Sequence, residues 1–139
     1  MIEQIEEIVC AGEGLEPEEI HVPSRETLVK EARQIVMYLA KIETRLPQRI
    51  IGAYFGLDHA TSYNAFVRIS NLIKTEPLFK LKIDEYQKQV KEVITEITKE
   101  DVITATFNSL VVNINIMEVR LLSMQKSLNK LKIELENLK

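Results

Sequence analysis

With one cysteine, Cys10, this sequence cannot close an internal disulfide, and no grouping of cysteine and histidine has zinc-site spacing. A reduced, cytoplasmic setting is the expectation that follows. Tryptophan is absent, and four glycines and four prolines in 139 residues are too few for an all-β or loop-rich fold. Basic residues are missing where a signal peptide needs them, because the chain opens with the acidic MIEQIEEIVC. No apolar run approaches the roughly 18 residues of a membrane span, so no membrane is expected. The means of catalysis are scarce too. Only His21 and His59 are available for a Ser/His/Asp or Cys/His arrangement, paired carboxylates fall on solvated helix faces, and GxxxxGK[ST] does not occur. The sequence therefore predicts no enzyme, nucleotide, cofactor or metal.

What is present is 45% hydrophobic and 28% charged residues, enough for a core and a soluble surface, in a length that suits one domain with an appendage. The formal charge of −3 conceals an asymmetry. Residues 1–31 hold nine glutamates against Arg25 and Lys30, a balance of −7. Residues 32–91 hold ten basic and five acidic side chains, a balance of +5. An acidic lead segment thus masks a mildly basic centre.

Nearly every periodicity is helical. Ile2, Ile5, Glu6, Ile8 and Val9 make a short amphipathic turn or two, closed by Gly12 and Gly14. In GLEPEEIHVPSRET, Pro17 suits the first position of a helix and Pro23 ends what precedes it. Ser24 is the expected cap of a helix that turns Leu28, Ala32, Ile35, Val36, Leu39 and Ile42 to one side. RLP at 45–47 breaks it, and QRIIGAYF follows as a short helix ended by Gly56 at positive φ. Asp58 caps the next helix through the N–H of Ala60 or Thr61. That helix runs to about Lys74 and buries Thr61 or Ser62, Ala65, Phe66, Ile69 and Leu72.

A short helix, a glycine turn and a second helix that begins with small polar residues make a helix-turn-helix pattern. In such a motif the second helix enters the major groove with its N-terminal residues against base edges. Asp58, His59, Ala60 and Thr61 are short enough to allow that approach. Tyr63 and Asn64 follow at positions that suit either a groove contact or an exposed helix face.

EARQIVMYLA followed by IGAYFGLDHATSYNAFVRI resembles the C-terminal DNA-binding domain of the bacterial replication initiator DnaA. The matching positions are Ala32, Arg33, Gln34, Met37, Leu39, Ala40, Ile51, Gly52, Phe55, Gly56, Asp58, His59, Thr61, Ala65, Arg68 and Ile69. The resemblance covers roughly residues 1–86 and is strongest over 31–72. It implies base contacts from Asp58, His59 and Ala60, with Asp58 accepting from a cytosine amino group and Ala60 meeting a thymine methyl. It implies a minor-groove arginine, for which Arg25 in HVPSRET is the equivalent. Arg33, Arg49, Thr61 and Asn64 complete the expected DNA-binding set. Two departures stand out. Leu57 occupies the place of the family's basic residue before Asp-His, and Ala60 replaces a threonine. The longer RLPQRI connection, with Arg45 and Arg49, offers a substitute phosphate contact.

After Pro77 restarts a helix, Phe79, Ile83, Tyr86, Val90, Val93 and Ile97 follow at 4-3-4-3-4 spacing. Thr98 to Asp101 resembles a capping box with Asp in place of Glu. A second run then alternates threes and fours: Phe107, Leu110, Ile114, Met117, Leu121, Met124, Leu128, Leu131, Leu135 and Leu138. This is a coiled-coil pattern with Phe107, Ile114, Leu121, Leu128 and Leu135 at a and the others at d. The two runs are out of phase, which predicts a bend near Lys99–Asp101 or a stutter inside one long helix.

The expectation is an all-α protein. Residues 1–77 form a DnaA-like helix-turn-helix domain with an acidic segment over 1–22, and residues 78–139 form long helices in a hairpin or coiled coil. Double-stranded DNA and further copies of the chain are the expected partners, in replication or transcription control of a chromosome, phage or mobile element. The alternative is an interaction module that keeps the fold and has lost the DNA.

Overall fold

The computed structural model describes Met1–Lys139 and contains helices and no strand. Five α-helices follow one another: α1 (Ile2–Glu13), α2 (Thr27–Thr44), α3 (Gln48–Tyr54), α4 (His59–Thr75) and α5 (Pro77–Asn137). A 3₁₀ turn, Pro17–Ile20, lies between α1 and α2. The chain divides into two compact units, Met1–Glu96 and Ile97–Lys139.

In the first unit α2 is the central element, packed by α1, α3 and α4. It buries Val29, Ala32, Ile35, Val36, Met37, Leu39 and Ala40. Leu28, expected on this face, is 47% exposed, and Val29 takes its place. The helix start differs from the expectation as well. Ser24 does not cap α2; its Oγ accepts from the Glu26 N–H (3.1 Å) in a local turn, and α2 begins only at Thr27.

α1 is longer than the turn or two its sequence suggests, because Gly14 closes it in the left-handed conformation (φ 72°) rather than Gly12. Gly12 has a different use. A Cβ there would run into the Tyr86 hydroxyl and ring, so the missing side chain lets α1 meet the Tyr86 ring. Pro17 opens the 3₁₀ turn, where Glu16 and Glu19 form a capping box. Pro77 opens α5, whose Phe79, Ile83, Tyr86 and Val90 are buried in the core of the first unit. That unit therefore takes in the first turns of α5, which sequence pattern alone assigns to the C-terminal region.

The helix is not interrupted at Lys99–Asp101. α5 is a single helix from Pro77 to Asn137, so the change of apolar phase is accommodated inside one helix and no hairpin forms. In the second unit every seam residue is exposed, from Leu128 at 53% to Leu138 at 85%. α5 also corrects the expectation about apolar runs. It contains an 18-residue window of mean hydropathy 1.4 with at most two charged residues, none of it buried, long and apolar enough to cross a membrane by length and composition.

Candidate nucleic-acid interface

The turn between α3 and α4 is built by two glycines with different duties. Gly52, inside α3, lies under the turn. A Cβ there would fall 2.6 Å from the Asp58 carbonyl oxygen and 2.9 Å from that of Leu57, so only glycine allows the approach. Gly56 adopts φ 69°, the left-handed conformation that an L side chain resists. The turn is closed by the Leu57 N–H donating to Gly52 O (2.9 Å) and the Gly56 N–H to Ala53 O (3.0 Å).

Asp58 then starts α4. Its Oδ1 accepts from the Thr61 N–H at 2.8 Å, which selects Thr61 from the two N–H groups expected. Hydrogen bonds from the Thr61 side chain and N–H hold the Asp58 carboxyl below the usual aspartate range. Ser62 is wholly buried and donates to Gln48 Oε1 at 2.6 Å, which pins the first turn of α4 to the start of α3. Ala65 and Ile69 continue that buried stripe, and Phe66 stacks on Tyr38 with ring centroids 5.3 Å apart.

With Ser62, Ala65 and Ile69 turned inward, the opposite face of α4 is in solvent. His59, Ala60, Thr61 and Asn64 are all exposed. Tyr63 at 55% and Val67 at 36% exposure lie one and two turns beyond His59 on the same face. Val67 went unnoticed in the sequence, although an apolar residue off the Ser62–Ala65–Ile69 stripe was the available signal. Asp58, His59, Ala60, Thr61 and Asn64 are thus gathered at one end of one helix. Arg49, exposed on the first turn of α3, and Arg25, exposed in the loop before α2, stand on other elements. No hydrogen bond or ion pair links either to α4.

Arg33 differs from the rest of the expected set. Its Nε donates to Ile20 O (2.7 Å) and its Nη2 to Val22 O (2.9 Å). The guanidinium ties α2 to the segment that leads to Arg25, and its place is that of a positioning residue. Arg68 is similarly occupied, donating to Gln34 and lying 3.7 Å from a Glu31 carboxylate oxygen.

The acidic lead segment is part of the architecture. Glu6 is only 3% exposed, and both its carboxylate oxygens lie 2.9 Å from His21 Nε2. The His21 ring stacks on Phe55 and meets Tyr54 edge-on, at 4.9 and 5.0 Å between centroids. Burial and a hydrogen bond to Glu6 hold the Tyr54 phenol well above its ordinary value. These contacts brace the end of α3, and with it the turn, against the N-terminal helix. Neither His21 nor Glu6 carries a motif that sequence reading could have paired.

Residues 2–69 match the family model described as the bacterial DnaA protein helix-turn-helix. The chain is 37% identical over 90 residues to the chromosomal replication initiator protein DnaA of Thermoanaerobacter sp. (strain X514), covering 65% of this chain and 20% of that protein. It is 35% identical over 92 residues to the protein of the same name from Bacteroides thetaiotaomicron, covering 66% and 20%. It is 32% identical over 90 residues to that of Campylobacter concisus, covering 64% and 21%. The chain spans about a fifth of the length of the curated relatives it matches.

Proposed function

We propose, from the premise that residues 2–69 form a helix-turn-helix domain of the DnaA C-terminal type, that this protein binds duplex DNA through the exposed N-terminal face of α4. The observation that carries this reading is the division of labour within the first turns of α4. Among residues 59–64 Ser62 alone is buried, while His59, Ala60, Thr61, Tyr63 and Asn64 all face solvent. That leaves an unobstructed helix end of the size a major groove admits. The exposed Asp58 carboxylate, which caps α4 through the Thr61 N–H, is placed to accept from a cytosine amino group as well. Ala60 presents a methyl group to thymine. Arg49 and Arg45 flank the start of α3 as phosphate contacts, and Arg25 supplies the minor-groove contact.

Self-association is the second half of the proposal. The ten seam residues from Phe107 to Leu138, each more than half exposed, carry on the order of 1,000 Å² per chain, the scale of a specific interface. Two linked modules gain roughly 10²–10⁴ in avidity when both sites can be engaged. That gain offsets the loss of the basic residue replaced by Leu57. The role that fits is control of replication or transcription on a chromosome, phage or mobile element.

A second reading has one observation in its favour. Arg33 and Arg68, two cations of the family pattern, are engaged within the protein. A fold kept for protein interaction would show the same economy of free charge. Selection from a random duplex pool at about 50 and 200 mM salt separates the two readings. Three phosphate contacts would weaken binding roughly 40-fold across that range. An enriched motif with such a slope supports the DNA reading; absence of retention at the lower salt removes it.

A further inference from the structure

We infer that residues 102–119 carry a second apolar stripe, opposed to the coiled-coil seam, through which pairs of this chain join into a larger helical assembly. The inference rests on the self-association proposed above. Val102, Ala105, Ser109, Val112, Ile116 and Val119 follow one another at spacings of 3-4-3-4-3. In the frame that places Phe107 and Ile114 at a, they occupy c and f, roughly 150° around the helix from the a/d seam. Val102 is 60%, Val112 55%, Ile116 46% and Val119 67% exposed. A pair joined through a and d leaves all of them in water on both outer faces. A helix that is apolar on two opposed sides is suited to burial on two sides.

Apart from Ser109, which lies within the second stripe, the uncharged polar residues of this segment fall between the stripes. Thr104, Asn108 and Asn115 lie on one flank, Thr106 and Asn113 on the other, and no charged residue occurs from Val102 through Met117. Asparagine and threonine side chains donate and accept at once, so identical flanks can hydrogen-bond one another without charge repulsion. The surface is therefore complementary to itself. The second stripe also stops where the charge returns, since Ser123, Lys126 and Lys130 occupy the same face beyond Val119.

A lipid bilayer is the competing occupant and fits less well. The eighteen residues 102–119 are about 27 Å long, close to a hydrocarbon core of about 30 Å, so length does not separate the two occupants. Three asparagine amides would face hydrocarbon with no partner. The a/d seam also continues in phase through the charged turns to Leu138, outside any such span. One occupant that satisfies both the seam and the stripe is another copy of the chain. When the second contact is isologous, as in most closed assemblies, the product is a pair of pairs.

The test uses the full chain without lipid, with its mass followed by light scattering over a concentration series and its helicity by circular dichroism. The expected mass is four chains. Val112→Lys with Val119→Lys is expected to halve it with helicity retained, and Val112→Gln with Val119→Gln serves as a neutral check should lysine disturb the helix. A wild-type mass of two chains, unchanged in both variants, overturns the second stripe and leaves pairing intact. A single-chain mass at every concentration instead removes the pairing on which the inference rests. Flotation of the wild type with phosphatidylglycerol/phosphatidylethanolamine vesicles, lost in the lysine variant, would assign the stripe to lipid and overturn the inference.

Discussion

The α-carbon of Gly52 faces the backbone of Asp58 so closely that a methyl group placed on it would sit 2.6 Å from the Asp58 carbonyl oxygen. The obstacle is backbone, which cannot rotate away as a side chain can. Gly52→Ala must therefore shift α3 away from the turn that starts α4. A loss of roughly 2–3 kcal/mol is expected by urea unfolding, the scale of overpacking a tight contact. A change below about 0.5 kcal/mol would show that the turn yields easily.

Arg25 and Arg33 should separate cleanly. Arg25 is exposed, while Arg33 donates to the carbonyls of Ile20 and Val22. Arg25→Ala and His59→Ala are each expected to weaken duplex binding by about 5- to 30-fold with the melting temperature unmoved, as removal of single polar contacts does. Arg33→Ala should lower stability by about 1 kcal/mol, since the half-buried Ile20 carbonyl loses a charged donor while the exposed Val22 carbonyl can turn to water. If Arg33→Ala left the melting curve untouched and impaired DNA binding alone, the positioning role would be wrong.

Burial first, and then the charges of Glu6 and the nearby glutamates, push the Cys10 thiol up to about 11. The thiolate is the reactive form, and Cys10 is 1% exposed. Cys10 should resist a thiol reagent at about pH 8 in the native protein and react at the free-cysteine rate in denaturant. Rapid native labelling would mean that α1 opens readily from the core.

At the N-cap, Asp58 is held below its ordinary range by hydrogen bonds from Thr61. A carboxyl lowered on folding adds stability that is complete above its unfolded value. That stability is lost as pH falls through the lower, folded value, so the window lies below about pH 4. Asp58→Asn keeps an acceptor for the Thr61 N–H and removes this titration. Melting temperatures of wild type and Asp58→Asn should therefore converge on acidification from about pH 6 to pH 3. Parallel curves would indicate that the cap does not depend on charge.

Leu121 and Leu128 occupy successive a positions on the exposed seam, at 57% and 53% exposure. Leu121→Asp with Leu128→Asp should reduce the mass in solution while the DnaA-like domain melts as before. An unchanged mass would leave the a/d seam without a function. The same variant should bind single and paired DNA sites alike, because avidity disappears with pairing.

Local chemistry made several features of this protein readable in its amino acids. Gly56 had to take positive φ, Asp58 had to cap, Pro17 and Pro77 had to open helices, and the 4-3 spacing of Phe79, Ile83, Tyr86 and Val90 had to face a core. Each depends on a few neighbouring residues, which is why the all-α class and the helix-turn-helix were legible. Tertiary structure decided what those signals left open. It placed Val29 rather than Leu28 inside, through the packing of α2 against its neighbours. It assigned Arg33 to the carbonyls of Ile20 and Val22, partners more than ten residues away. It paired the acidic Glu6 with His21, and carried α5 unbroken past Lys99–Asp101. A helix cap is settled within one turn of chain, whereas the partner of a charge depends on which elements the fold brings side by side.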